Sequence, residues 1–470
     1  MSDFSATALA HQAALRQATL RRFWLLLAVG IACVPLVMLP ALWNGFPILF
    51  PDTGGYLARP FEGTLELGRS ALYGAFLAAG IPFDFWLNVA LQAALCIWLI
   101  ALTLRTHQLS GAGILLATVT ALCVATGLPW YAGTLIPDIL VSAAILSLYL
   151  LAFRGDRIRR WETIALGAVI ACAIASHMGT LALCLGLIVC LAGWAFVHRR
   201  LSDRWPKPRL LAASLAIAAG LLLAPLSNLV IADDFAFTPG GESFVFGRLV
   251  QDGIVADYLE DRCPDPDIKL CPYRSKLPTT ADDWLWAPGN PLGELGGWRG
   301  YADEAQFIIL DSLRRYPLEH LETAITTTFK QLVLMKTEVS LVKDWMAPAI
   351  GALRELVPGM TPRIAAARQQ AEPFPELLAR FNTIHVATAM ASLVLLIGML
   401  VFARRGWISP EALMLAGLVL AALLINAAIC GIFSNPVDRY QSRILWLAPF
   451  AAIIALGTRR QSGADRNRTS

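Results

Sequence analysis

Charged residues are scarce in this sequence. Of its 470 residues, 15% are charged and 57% are hydrophobic, whereas soluble domains have about 25% charged and 45–50% apolar residues. The mean hydropathy is +0.59. A formal net charge of +4 is too small to indicate a nucleic-acid-binding surface. The composition excludes an ordinary soluble domain and predicts an integral membrane protein.

Common catalytic signatures are also missing from the sequence. It has no phosphate-binding Walker loop, no His/Cys cluster with metal-ligand spacing and no Gly-x-Ser-x-Gly elbow. It has no internal repeat of 20–50 residues either. These absences argue against a P-loop ATPase, a zinc enzyme, an α/β hydrolase and a solenoid.

Long apolar runs predict an all-α polytopic fold with about ten transmembrane helices, since about 20 apolar residues cross a bilayer. Residues 23–43 exceed the length of a signal-peptide core and lack a cleavage site, so they are predicted to be a retained anchor. Residues 163–197 lie between two basic clusters, which predicts two short helices with His177 near the turn. The other predicted spans end near residue 104 or cover residues 111–125, 138–154, 210–231, 386–402, 412–432 and 444–456.

The distribution of Lys and Arg predicts the orientation of the chain. Basic clusters at 154–160, 199–209 and 459–468 belong on the cytoplasmic side under the positive-inside rule. Both termini are then cytoplasmic. The predicted organisation is a cytoplasmic segment (1–22), a membrane domain with helices 1–7 and a first outside loop at 44–84 (23–231), an extracytoplasmic domain (232–381), helices 8–10 (382–457) and a basic cytoplasmic tail (458–470).

The extracytoplasmic domain is predicted to be loop-like in its proline-rich first half and helical over residues 302–315 and 318–336. Residues 339–357 form an amphipathic pattern, which predicts a helix on the membrane surface. Cys263 and Cys271 are the only cysteines in a polar segment. A disulfide between them is expected in an oxidising compartment, and two free thiols are the alternative.

Asp52 lies in the first outside loop, within Phe-Pro-Asp-Thr-Gly-Gly-Tyr-Leu. Pro, Asp and Gly are common turn residues, so Asp52 could simply cap its own turn. Alternatively, a carboxylate held at the membrane surface by rigid neighbours could act as a general base on a hydroxyl.

Two further candidates occur in the other outside turns. Asp138 follows Pro137 at a predicted helix start, where an acid complements the helix dipole or belongs to a site. His177 interrupts an apolar run, and such a histidine needs a hydrogen-bond partner or a polar cavity. A structural histidine is the alternative.

The last outside turn contains Arg439 and Arg443, directly before an apolar run. Guanidinium groups at this position suit a phosphate at the headgroup level. Lipid anchoring or an ion pair with Asp438 are the alternatives. Since all four turns are predicted on one side of the membrane, we expect Asp52, Asp138 and His177 to share a cavity with the arginines.

These motifs resemble the GT-C superfamily of membrane glycosyltransferases. Asp52 with Arg69 and Tyr73 is similar to the first-loop pattern of that superfamily. Pro137-Asp138 resembles an element before its fourth helix, and Asp438-Arg439-Tyr440 resembles the start of a late helix. The sequence departs from the superfamily in having a lone first-loop Asp and an insertion between helices 7 and 8.

The Ala/Arg-rich composition indicates a bacterial protein, so the predicted location is the bacterial inner membrane. The resemblance implies an enzyme that takes a sugar from a polyprenyl phosphate. The acceptor would be an extracytoplasmic glycan or lipid, with Asp52 as the base. Donor or substrate contacts would come from Arg69, Tyr73, Asp138, His177, Arg439, Tyr440 and Arg443. The resemblance leaves Mg²⁺ or Mn²⁺ open as a cofactor. A flippase of a lipid-linked intermediate and a non-catalytic envelope assembly protein are the alternative functions.

Overall fold

The computed structural model describes residues 2–198, 205–237, 240–337, 343–370 and 374–466. These residues are 79% helical. The described residues contain no β-strand, only two isolated bridges that join Ile48 to Thr134 and Glu66 to Arg69.

The helices of the described residues are numbered α1–α24. In the first half they are α1 (Ser2–Val37), α2 (Leu39–Asn44), α3 (Thr53–Glu62), α4 (Ala71–Ala79), α5 (Trp86–Thr106), α6 (Ala112–Ala125), α7 (Leu128–Ala132), α8 (Asp138–Phe153), α9 (Arg160–Ser176), α10 (Met178–His198) and α11 (Leu211–Ala232). In the second half they are α12 (Gly241–Gln251), α13 (Ile254–Arg262), α14 (Ala281–Trp286), α15 (Pro291–Glu294), α16 (Gly297–Gly300), α17 (Ala302–Arg315), α18 (Pro317–Val333), α19 (Lys343–Leu356), α20 (Thr361–Ala366), α21 (Phe374–Val401), α22 (Pro410–Phe433), α23 (Asp438–Leu445) and α24 (Leu447–Arg466).

Seven helical segments of the described residues are long and apolar enough to cross a membrane. They lie in α1, α5, α10, α11, α21, α22 and the α23–α24 pair. Large apolar side chains remain exposed on their outer surfaces, such as Val189, Val230 and Val394, as expected for contact with lipid. The chain is therefore an all-α multi-pass membrane protein. The predicted pair of helices flanking His177 is also present, as α9 and α10.

Residues 44–84, predicted to be the first outside loop, are more structured than their composition indicates. They include the short helices α3 and α4, which pack closely against each other. A Cβ atom on Gly74 of α4 would lie 2.2 Å from the Tyr56 carbonyl oxygen of α3, so only glycine fits this contact. The pairing fixes the loop that carries Asp52.

The region predicted to be extracytoplasmic has its own small hydrophobic core, centred on Phe246, Trp284 and Tyr301. The prediction that its first half is loop-like was wrong, because α12, α13 and α14 bury one face each in this core. Some of its prolines start helices instead of breaking them, as Pro291 does for α15. A disulfide joins Cys263 to Cys271 in the same region.

The amphipathic pattern predicted at 339–357 begins outside the described residues and continues as α19. Its apolar face, with Met346, Ala349 and Leu353, is buried. This face packs on α3, where a Cβ on Gly54 would lie 2.9 Å from the Ala349 Cα. The apolar face therefore contacts protein, and not the membrane surface that the pattern had predicted.

Candidate functional site

Four segments that are distant in sequence meet at one end of the helical bundle. Asp52 lies just before α3, Asp138 starts α8, His177 joins α9 to α10, and Arg439 and Arg443 lie on α23. Salt bridges and hydrogen bonds connect their side chains. We call these five residues, together with Arg69, the charged cluster.

Arg443 is the most deeply buried cation of the charged cluster, with 1% of its surface exposed. Its Nη1 donates to Asp138 Oδ1 at 2.9 Å and to His177 Nε2 at 3.0 Å. Because a guanidinium can only donate, His177 Nε2 must accept. His177 is therefore neutral, with its proton on Nδ1, and Nδ1 has no hydrogen-bond partner among the described residues.

Asp52 is held by Arg69, whose Nη2 lies 2.8 Å from Asp52 Oδ1. The side chain of Asp52 makes no capping hydrogen bond to α3, so the interpretation that it caps its own turn was wrong. Asp52 is 20% exposed at its side chain, whereas Asp138 is 1% exposed. Among the carboxylates of the charged cluster, Asp52 is the one accessible to a ligand.

Arg439 lies between the two carboxylates. Its Nη1 is 3.8 Å from Asp52 Oδ2 and 3.6 Å from Asp138 Oδ2, which is too long for a hydrogen bond. Its guanidinium stacks on Phe50, with Cζ 4.4 Å from the ring centroid. Arg439 is thus fixed by charge and stacking, and its N–H groups can turn towards a ligand.

Tyr440 and Tyr73 differ in their relation to the charged cluster. The Tyr440 ring lies 4.9 Å from Arg439 Cζ and 5.1 Å from Arg443 Cζ, so it contacts both cations. Tyr73 Oη instead donates to Gln92 Oε1 at 2.9 Å. Tyr73 therefore supports the packing behind α3 and does not reach the charged cluster.

The alternative of an ion pair between Asp438 and the arginines does not match the geometry. Asp438 Oδ1 accepts from the Lys336 backbone N–H at 2.7 Å. The acidic partners of Arg439 and Arg443 are Asp52 and Asp138. Asp438 thus fixes the backbone after α18, and the arginines pair with the carboxylates of the charged cluster.

Sequence reasoning missed Asn426, which lies in the middle of the apolar helix α22. Its Oδ1 is 3.5 Å from Arg443 Nη2, and its Nδ2 donates to the Tyr440 carbonyl oxygen at 2.8 Å. A polar side chain inside an apolar run is a signal of function or of a buried partner, and that signal could have identified it.

The charged cluster contains more positive than negative charge. Three guanidinium groups, from Arg69, Arg439 and Arg443, face two carboxylates, and His177 is neutral. An uncompensated buried cation is costly, so binding of an anion would be favourable here. Phosphate is one of the anions whose geometry matches the guanidinium group, together with carboxylate.

A divalent cation does not fit this arrangement. The described residues include no group of three or more His, Cys, Asp or Glu side chains that could hold a metal ion. Asp52 and Asp138 are both paired with arginine, whereas Mg²⁺ and Mn²⁺ require free oxygen ligands.

Comparison of the chain with protein-family models, with curated proteins and with solved structures gave no match.

Proposed function

We propose that the protein is a glycosyltransferase that uses a polyprenyl-phosphate sugar as donor and an extracytoplasmic glycan or lipid as acceptor. The observation that carries this proposal is the excess positive charge of the charged cluster next to an accessible carboxylate. An anionic leaving group and a nucleophilic hydroxyl need these two features side by side.

The proposal includes ten membrane crossings in a bacterial inner membrane. Seven helical segments in the described part of the chain are long enough to cross. Three shorter helices, α6, α8 and α9, bring the number of crossings to ten if they also cross the membrane. With the N-terminus in the cytoplasm, the charged cluster and the region from α12 to α19 then lie on the extracytoplasmic side. Polyprenyl-linked sugars would reach the cluster from the outer leaflet.

In the proposed reaction, the acceptor hydroxyl attacks the anomeric carbon of the sugar. The new C–O bond forms as the bond from the anomeric carbon to the phosphate oxygen breaks, with inversion. The hydroxyl proton passes to Asp52, and polyprenyl phosphate leaves with the bonding electron pair. Arg439 and Arg443 stabilise the charge that develops on the leaving phosphate.

The other residues of the charged cluster act by positioning these groups. Arg69 orients the Asp52 carboxylate through its 2.8 Å contact. Asp138 and His177 hold the Arg443 guanidinium through Nη1, so its other N–H groups point in a fixed direction. Preorganised donors of this kind avoid reorganisation during the reaction.

The flippase alternative predicts ionisable residues distributed through the depth of the spans. The six side chains of the charged cluster instead lie together at one end of the bundle. This concentration favours chemistry at one surface over transport across the membrane. A non-catalytic assembly protein would not need the accessible carboxylate of Asp52.

Glycan mass spectrometry tests the proposed function in cells. Cells without the gene should lack a sugar on an envelope glycan or lipid, and the wild-type gene should restore it. Asp52→Asn should lower restoration by about 100-fold or more, since a general base contributes about 10²–10⁴-fold. Asp303→Asn, an exposed acid on α17, is the control. Equal restoration by Asp52→Asn would contradict the enzyme and favour the flippase or assembly role.

A further inference from the structure

The short helix α14 has two different faces. Ala281 and Trp284 are buried in the small core of the extracytoplasmic region. Asp282 and Trp286 are four residues apart and therefore share the opposite face. Trp286 is 46% exposed, which is unusual for a tryptophan on a well-packed helix.

The exposed face of α14 points towards the charged cluster. The Trp286 ring stacks on Arg69, with 5.4 Å from the ring centroid to Arg69 Cζ. Arg69 in turn contacts Asp52 at 2.8 Å. One guanidinium group therefore separates Trp286 from the proposed base. Phe244 supports the Trp286 ring edge-on at 6.4 Å.

A second contact ties α14 to the turn before Arg439. Asn435 Nδ2 donates to Asp282 Oδ2 at 3.0 Å, and Gln251 Nε2 donates to Asn435 Oδ1 at 3.4 Å. Burial raises the pKa of the Asp282 carboxyl, and Arg439 is close enough to oppose that rise. The helix thus contacts Arg69 of the charged cluster on one side and Asn435, in the turn before Arg439, on the other.

The position of α14 is fixed by its own hydrogen bonds. Thr280 caps the helix by accepting from the Asp283 backbone N–H at 3.0 Å. The Ala281 N–H donates to Gln251 Oε1 at 2.9 Å, and Asn290 Nδ2 donates to the Trp284 carbonyl oxygen at 2.7 Å. These contacts preorganise the exposed face for a ligand.

We propose that Trp286, Asp282 and Asn435 form a subsite for a pyranose ring of the acceptor, which makes the acceptor a saccharide. This inference rests on the proposed glycosyltransferase function. A pyranose has an apolar C–H face and a rim of hydroxyl groups. The exposed ring of Trp286 can stack on the C–H face. The Asp282 carboxylate can accept hydrogen bonds from the hydroxyl groups, and the Asn435 amide can donate to them.

The subsite gives the extracytoplasmic region a function in the reaction. A sugar on Trp286 lies one guanidinium group from Asp52, so a hydroxyl of that sugar or of its neighbour reaches the base. Positioning of this type raises the effective concentration of the hydroxyl. The region therefore selects the acceptor, while the bundle binds the donor.

Saturation-transfer NMR on the full chain in nanodiscs tests this subsite without any need for catalysis. The probes are methyl glucoside, galactoside and mannoside and methyl N-acetylglucosaminide, with cyclohexanol as a non-sugar control. At least one pyranoside should receive saturation from the wild-type protein. Trp286→Ala should lower this signal by about tenfold, as for a central aromatic contact, and Trp286→Phe should keep part of it.

Two variants separate this inference from the proposed function. Phe307→Ala, which removes another exposed aromatic ring of the region, should leave the signal unchanged. Asp282→Asn should weaken the signal while the contact between Trp286 and Arg69 stays intact. Asp52→Asn should still bind the pyranoside but fail in transfer. No signal for any pyranoside, or equal signals for the wild type and Trp286→Ala, would overturn the subsite. Pyranoside binding together with equal sugar transfer by Asp52→Asn and the wild type would overturn only the assignment of Asp52 as the base. Pyranoside binding without sugar transfer by the wild type would overturn only the proposed enzyme.

Discussion

At the scale of single residues, the charged cluster is a set of buried pairs whose members depend on one another. Asp138 and Arg443 are each 1% exposed at the side chain and lie 2.9 Å apart. A buried pair of this kind contributes little beyond an apolar replacement, but removal of one partner leaves an uncompensated charge. Single substitutions should therefore be costly here.

Asp138→Ala should lower the free energy of unfolding by about 3–5 kcal/mol, because Arg443 would lose its carboxylate partner. Thermal unfolding in detergent measures this loss. Glu355→Ala removes an exposed acid and should change stability by less than about 0.5 kcal/mol. A loss for Asp138→Ala no larger than that of the control would show that Asp138 is not the structural centre of the cluster.

His320, which lies outside the charged cluster, should make the stability of the protein depend on pH. Burial lowers its pKa below the usual 6.5, and Asp252 partly opposes this effect. The folded state therefore binds this proton less readily than the unfolded state. The stabilising contribution is complete above pH 6.5 and falls as the pH decreases towards the lower pKa of the folded state.

The junction between α17 and α18 should become less stable below pH 6.5, since His320 Nε2 contacts Ser312 Oγ there at 3.1 Å. Hydrogen exchange corrected for intrinsic rates, measured on both sides of that pH, reports this change. His320→Gln should remove the pH dependence. Equal protection of α17 and α18 at both pH values in the wild-type protein would contradict the assignment.

At the scale of helices, the packing of α18 on α22 attaches the region from α12 to α19 to the bundle. A Cβ atom on Gly431 would lie 2.7 Å from the Thr327 carbonyl oxygen, whereas a Cβ on Gly417 of the same helix would meet nothing within 4 Å. Gln331 adds hydrogen bonds to the Val437 backbone. Close backbone contact at Gly431 thus sets the position of α18.

Gly431→Ala should displace α18 and cost about 1–3 kcal/mol, the usual range for overpacking. Gly417→Ala should be neutral or stabilising by up to about 1 kcal/mol, because alanine has the higher helix propensity. Thermal unfolding and hydrogen exchange of α18 measure both effects. If the two variants behaved alike, the proposed docking contact would be wrong.

The sequence predicted the long helices better than the short ones, for a physical reason. Nearly every residue of a long helix such as α11 is apolar, because lipid requires apolar side chains on all exposed faces. Such a run is therefore easy to predict from hydropathy. Short helices such as α3 and α14 are not stable alone and form through tertiary contacts. The glycines of α3 and the prolines on either side of α14, Pro278 and Pro288, therefore indicated loops. The role of Trp286 could not be predicted.

At the scale of the whole molecule, sidedness allowed part of the site to be predicted. Helices that alternate in direction bring their turns to two surfaces, so Asp52, Asp138 and His177 were expected to meet the arginines. The pairing of Arg443 with both Asp138 and His177 depends on the rotation of α8 and α23. The sequence does not indicate the rotation of α8, because that helix is apolar on nearly every side.

The proposed orientation predicts the activity of reporter fusions. Alkaline phosphatase inserted after Gly289, in the extracytoplasmic region, should be active, and the same enzyme fused after Ser470 should be inactive. A fluorescent protein that folds only in the cytoplasm should show the opposite pattern. Reversed results at both points would place the charged cluster on the cytoplasmic side.

The central claim is that the charged cluster cleaves a polyprenyl-phosphate sugar with Asp52 as the base. Its most direct test is the release of polyprenyl phosphate from such donors, measured by mass spectrometry on wild-type protein and Asp52→Asn in nanodiscs with glycan acceptor. We expect the wild-type protein to release polyprenyl phosphate. The Asp52→Asn variant should still bind the donor but release polyprenyl phosphate at a rate at least about 100-fold lower. Release by Asp52→Asn within about twofold of the wild-type rate would contradict the claim.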